Sequence, residues 1–168
     1  VKSDKETLRA EPGKMYELVS EHIFPHFDFA IMAQWVLGDS WAGADDVTRA
    51  AFVDQFRKLL VRTYATALLE FSDQTISYPD SANEAAAATA TVRQEISQPG
   101  SSSIPIVYRL HNKTGEWKVF DVSVDGVSLI KTYRASFAAA IKNDGLPALI
   151  QSLETKNQRY AAQTQKLP

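Results

Sequence analysis

Apolar positions recur every three or four residues over residues 1–71, every second residue over 74–130, and every three or four again from 131 to about 165. The outer stretches therefore predict helices and the middle one strands. A first helix starts at Pro12, a residue suited to a first turn. It places Met15, Leu18, Val19 and His22 on one face, and Pro25 stops it. Asp28 is placed to cap the next helix by accepting its free N–H groups. That helix runs to about Leu37, where Gly38 offers a stop. The strongest helix spans Asp46 to Phe71, with Asp45 or Asp46 as its cap. Its stripe is Phe52, Phe56, Leu59, Leu60, Thr63, Ala67, Leu68 and Phe71.

The middle region switches to period two. Ala86, Ala88, Ala90, Val92 and Ile96 alternate with Thr89, Thr91, Arg93 and Glu95. Ile104, Ile106, Tyr108 and Leu110 alternate with Val107, Arg109 and His111. Asn112 to Gly115 is a turn, and Trp117 to Val124 returns as a strand. Pro105 predicts an edge position or a bulge, because it cannot donate to a ladder. The last third puts Tyr133, Phe137, Ala140 and Ile141 on one helix face, with a stop at Gly145 and a new turn opened by Pro147. Leu149, Ile150 and Leu153 continue the stripe, and the polar tail from Thr155 is expected to fray. No internal repeat or Gly/Ser linker divides the chain. The expected fold is a single α+β domain over residues 1–168, with helices packed on one face of a curved antiparallel sheet. Where sheet and helices diverge, such an arrangement forms a cone.

Composition narrows the function. The chain has 168 residues, 45% hydrophobic and 23% charged, with a net charge of -2. That is the composition of a globular domain with a sizeable core. No dense basic run offers a nucleic-acid footprint. There are no cysteines, so disulfides, thiol catalysis and cysteine-based metal sites are excluded. No stretch approaches the roughly 20 apolar residues of a membrane span. The chain starts at Val1 without Met, as expected if a leader was removed or not included.

Few residues suggest chemistry. His22 and His26 are four apart beside Glu21, a metal-like spacing, but Pro25 interrupts the helix and no third ligand is near. Surface or capping roles fit them better. Asp121, Asp125 and Tyr108 could serve acid–base catalysis in a cone-shaped pocket. Asp125-Gly126 reads more plainly as a turn, and Asp121 as a buried partner for a helix end or an arginine. There is no Gly-x-Ser-x-Gly elbow and no phosphate-binding glycine loop. The apolar stripes could fill an ordinary core or line a void; periodicity alone leaves both open.

Several segments, in order, resemble the MlaC family of toluene-tolerance or organic-solvent-resistance auxiliary proteins. They are Phe24-Pro25-His26-Phe27-Asp28-Phe29, with Leu37-Gly38 and Trp41 following, and the helix from Phe52 through Phe56, Leu59-Leu60 and Thr63-Tyr64-Ala65. Then come Pro105-Ile106-Val107-Tyr108, Trp117-Lys118-Val119-Phe120-Asp121-Val122, Gly126-Val127-Ser128-Leu129 and Tyr133-Arg134 with Phe137. The resemblance spans roughly residues 12–154. It departs modestly at Asp125, where the family often has Glu.

The resemblance implies an NTF2-like sheet with extra helices enclosing an apolar cavity. It implies a periplasmic, Gram-negative phospholipid carrier that exchanges lipid between an outer-membrane lipoprotein–porin complex and an inner-membrane ABC transporter complex, maintaining outer-membrane lipid asymmetry. Neither metal, cofactor nor chemical step is implied, and a shuttling carrier is expected to be monomeric. The expected lipid-binding wall is Phe52, Phe56, Leu60, Tyr64, Ile106, Tyr108, Trp117, Val119, Val127, Leu129, Tyr133 and Phe137. Asp121 and Arg134 are expected to form a structural ion pair, since both sit inside apolar patterns. The alternative is an NTF2-like enzyme acting on a small hydrophobic molecule.

Overall fold

The computed structural model describes residues 12–70, 74–79, 84–85, 88–97, 100 and 102–164. The expectations for Phe71 and Ala86, and for the side chains of Met15, Ala67 and Leu68, lie outside this description.

The N-terminal half is helical: α1 (Pro12–His22), a 3-10 turn (Phe24–His26), α2 (Phe29–Leu37), the single turn α3 (Asp39–Ala42) and the long α4 (Asp46–Glu70). The caps are local chemistry. The Asp28 carboxylate accepts from Ile31 N at 3.0 Å, and the Asp45 carboxylate accepts from Thr48 N at 2.7 Å. Asp45, not Asp46, therefore caps α4. α2 ends at Gly38, whose φ of 55° and ψ of -125° suit glycine alone. His22 is exposed rather than on the buried face of α1, where Val19 and Val61 pack with Leu18, Ile23 and Phe24. Thr63 is exposed too, its hydroxyl bonded back to Leu59 O at 2.8 Å.

Six strands follow: β1 (Thr75–Ser77), β2 (Glu84–Ala85), β3 (Thr89–Ser97), β4 (Ile104–His111), β5 (Lys118–Val124) and β6 (Val127–Ser128). They pair antiparallel in the order β1-β3-β4-β5-β6, with β2 also on β3. Pro105 lies neither on an edge nor at a bulge. It sits near the start of the interior strand β4, opposite Glu95, and its carbonyl accepts from Asp125 N at 2.9 Å. One missing N–H costs a ladder least near a strand end. The register shift falls instead between Arg109 and Leu110, where β5 carries Phe120 as an extra residue.

α5 (Leu129–Thr164) completes the domain and breaks at Gly145, which adopts φ 82° and ψ 165° ahead of Pro147. Its second half returns Leu146, Leu149 and Leu153 to the core. The tail does not fray at Thr155. It stays helical to Thr164, and Asn157 Nδ2 donates to Gln55 O and Oε1 at 3.0 and 2.9 Å.

Among the described residues, the main buried cluster is drawn from helices and their connections. Met32, Ala33, Val36 and Leu37 of α2 meet Phe52, Phe56, Leu59 and Leu60 of α4 and Ile130, Phe137, Leu146, Leu149 and Leu153 of α5. Phe52 stacks on Phe56 with centroids 5.6 Å apart, and Phe137 stands edge-on to both. Such pairs add about 0.5–1.5 kcal/mol beyond their burial.

Candidate functional site

The strands divide their side chains between two faces. One carries Thr91, Arg93, Glu95, Val107, Arg109 and Ser123. Cross-strand pairing places Ile76, Ala90, Val92, Gln94, Ile96, Ile104, Ile106, Tyr108, Leu110, Val119, Val122, Val124 and Val127 together on the other. Asp121 and His111 share the first face and are buried where they meet the starts of two helices, but Arg93 and Arg109 on it are exposed, whereas the apolar face buries Gln94, Val119 and Val122 and is taken as the inward one.

That inward face is graded along the strands. Its outermost rung is Ile76–Ile96–Ile104, with Ile76 43% and Ile104 47% exposed. Next comes Gln94–Ile106–Val124–Val127, then Val92–Tyr108–Val122, then Ala90–Leu110–Val119. Exposure falls from 43–47% at Ile76 and Ile104 to 8% at Val122 and 7% at Val119, while the second rung runs from a buried Gln94 to Val127, exposed at the sheet edge. Rungs lie about 7 Å apart, two residues of strand. The face is open at the β1 end and closed where Phe27 bridges Val119. Between these extremes Val92, Ile96, Ile106, Tyr108, Leu110 and Val124 are only half-buried, and among the described residues none from the sheet joins the helical cluster.

The expected wall residues therefore fall into three groups. Phe52, Phe56, Leu60 and Phe137 are buried in the helical cluster. Ile106, Tyr108 and Val119 line the inward sheet face, with Val127 at its exposed edge, and Trp117 is exposed in the turn before β5. Tyr64, Leu129 and Tyr133 stand at helix positions that are only partly covered. Tyr133 packs edge-on to Phe56 at 5.3 Å, at the border of the cluster. Burial, with the Tyr133 hydroxyl beside it, pushes the Tyr64 phenol far above its usual range. Burial and the nearby Tyr78 raise Tyr108 as well. These phenols stay neutral, so they add hydrogen-bonding tips but no charge.

The expected Asp121–Arg134 pair does not form. Ser128 Oγ, 2.8 and 3.0 Å from the two Asp121 oxygens, donates to the carboxylate, and Ile130 N donates to Oδ1 at 3.3 Å. Asp121 thus holds the start of α5, the helix-end role allowed for it. Tyr133 and Phe137 take the core face of α5, so Arg134 is turned outward, lying over Gly38. Asp121 lies across from Arg109 in the strand register, on the sheet face opposite Tyr108, and Asp125 is an exposed turn residue at φ 50°. The three do not converge. His22 and His26 are exposed, and no metal-like group of three ligands occurs among the described residues. An open groove of about 510 Å³ lies over Ala30, Trp41, Ala50 and Val53, edged by Asp46, Arg49, Asp54 and Arg57. That charged rim on the helical layer is chemically unlike the sheet face.

One inward residue was missed by sequence reasoning. Gln94 interrupts the apolar set between Val92 and Ile96, and the gap was its signal.

No helix among the described residues is long and apolar enough to cross a membrane. A family model described as MlaC protein matches residues 1–155. The chain is 27% identical over 146 residues to the toluene tolerance protein ttg2D of Pseudomonas putida, covering 86% of this chain and 67% of the relative. It is 25% identical over 166 residues to the intermembrane phospholipid transport system binding protein MlaC of Haemophilus influenzae, covering 97% and 76%. Its structure matches that of a phospholipid-binding protein from Ralstonia solanacearum, solved in complex with a phospholipid, with a TM-score of 0.80 and 31% identity over 94% of this chain and 92% of that one. The chain thus belongs to the MlaC family.

Proposed function

We propose that the protein is a periplasmic phospholipid carrier, holding the acyl chains between the inward sheet face and the helices. One observation carries this: the sheet presents an apolar face inward that stays outside the helical core and is open at one end. An ordinary two-layer domain would use that face to build its core. Similarity to a protein solved with phospholipid supports the same reading.

The energetics set the mechanism. Each methylene withdrawn from water contributes about 0.8 kcal/mol, so a diacyl lipid with about 30 methylenes gains on the order of 20 kcal/mol. Only an apolar, bilayer-like space can match that. Ile106, Tyr108 and Val119 would form the sheet wall, with Trp117 and Val127 toward its edge. Leu60, Tyr64, Leu129 and Tyr133 would form the helical wall. Phe52, Phe56 and Phe137 would hold the helices together behind it. Spontaneous release into water is too costly to sustain traffic, so transfer would require docking. The carrier would work as a monomer between an outer-membrane lipoprotein–porin complex and an inner-membrane ABC transporter complex, and so maintain lipid asymmetry.

A fluorescent phospholipid loaded on the protein tests this. The lipid should remain bound in buffer and leave promptly when the membrane complexes are supplied in vesicles. Release at the same rate into buffer alone would refute docking-dependent transfer.

A further inference from the structure

Gln94 is the only amide on the inward sheet face among the described residues, and it is 8% exposed. Its side chain makes no hydrogen bond to the protein among those residues. The amide is not among the buried polar atoms that lack a partner, so its tip reaches the open space over the face, and a polar tip in an otherwise apolar row needs a reason. Packing does not supply one: its cross-strand partner is Ile106, and Val92 and Ile96 flank it on the same face. A leucine would fit that setting better.

Position suggests the reason. Gln94 lies one rung, about 7 Å, inside the exposed Ile76–Ile96–Ile104 rung. Tyr108 lies diagonally across β4 from it on the same face, close enough for both side chains to meet one ligand. Tyr78, which follows β1, is 57% exposed at the open end and raises the Tyr108 phenol. A diacyl phospholipid has the same order of polarity. Its headgroup is in water, its two ester carbonyls lie just below, and its tails are deepest. The esters are neutral acceptors needing neutral donors. An amide N–H and a phenol O–H supply these without the cost of burying a charge.

We infer that Gln94 Nε2, with the Tyr108 hydroxyl beside it, donates to an ester carbonyl of the bound phospholipid and fixes how deep the glycerol sits. This rests on the carrier reading, and it makes the protein a reader of acyl linkage rather than of headgroup.

The test compares a diester phosphatidylglycerol with its diether analogue, which has equal chains and headgroup but no carbonyl. Both are offered in the same vesicles, and protein-bound lipid is counted by mass spectrometry. The wild type should prefer the diester about threefold to tenfold, the worth of one or two net hydrogen bonds. Gln94→Leu should remove most of that preference, read as the diester-to-diether ratio bound. Equal uptake of both lipids by the wild type would overturn the inference while leaving the carrier reading standing, and needs no variant to fold. An undiminished preference in Gln94→Leu would also overturn it. Uptake of neither lipid would instead sink the carrier reading on which it rests.

Discussion

His111 Nε2 lies 2.9 Å from Asp28 Oδ2 and ties the end of β4 to the start of α2. The other ring nitrogen accepts from Lys113 N at 3.3 Å, so the proton sits on Nε2, which donates to the carboxylate. Asp28 Oδ1 meanwhile caps α2, and Asp28 N donates to Val119 O. One residue thus joins the helical layer to the sheet. Asp28→Ala should lower stability by about 2–4 kcal/mol, combining a lost cap and an orphaned buried imidazole. Asp28→Asn keeps a capping oxygen and should cost about half as much. Urea unfolding midpoints separate the two; equal losses would break the division of labour.

The start of α5 depends on a second buried contact. Ser128 Oγ donates to Asp121 and accepts from Lys131 N at 3.2 Å, serving as cap and carboxylate partner together. Ser128→Ala should cost about 1–3 kcal/mol. Ser128→Thr, which keeps the hydroxyl, should recover most of it in the same unfolding assay.

Core and lining should respond oppositely to volume changes. Phe56 is fully buried among aromatic neighbours, so Phe56→Ala should cost about 3–5 kcal/mol. Ile106 is half-buried on the inward sheet face. Ile106→Trp should therefore be tolerated to within about 1 kcal/mol while cutting bound lipid severalfold, because the ring occupies space meant for cargo. If that face were packed core, the larger ring would cost about 1–3 kcal/mol by overpacking.

Alkaline pH should reveal the two phenols whose ionisation is shifted upward. Tyr64 and Tyr108 both ionise above their ordinary pKa in the folded protein. The unfolded chain ionises first, near pH 10, so the folded state loses stability as pH rises past that value. Below it this contribution is fully present. A spectroscopic titration of the six tyrosines should show some resisting ionisation until unfolding. Tyr64→Phe combined with Tyr108→Phe should flatten the alkaline decline.

Much of the fold was legible because local chemistry wrote it. Asp28 as cap, Gly38 as stop and the period-two runs of β3 and β4 follow from short-range rules. Tertiary relations were not. Periodicity marked Phe56 and Tyr108 alike as apolar-face residues, yet one is in the helical cluster and the other on a half-covered sheet face. Arg134 was assigned by its apolar surroundings in sequence, but helix rotation turned it outward. The tail beyond Thr155 looked too polar to persist, and the Asn157 amide, bonded to Gln55 of α4, helps to anchor it. Gln94 was hidden because a missing member of an alternating set draws less notice than a present one.

The central claim is that the inward sheet face exists for a phospholipid. Native mass spectrometry of the purified protein, followed by organic extraction, tests it most directly. The account predicts about one diacyl phospholipid per chain, lost on extraction and regained from vesicles. Protein that is empty as purified, and stays empty after incubation with phospholipid vesicles and the membrane complexes, would contradict it.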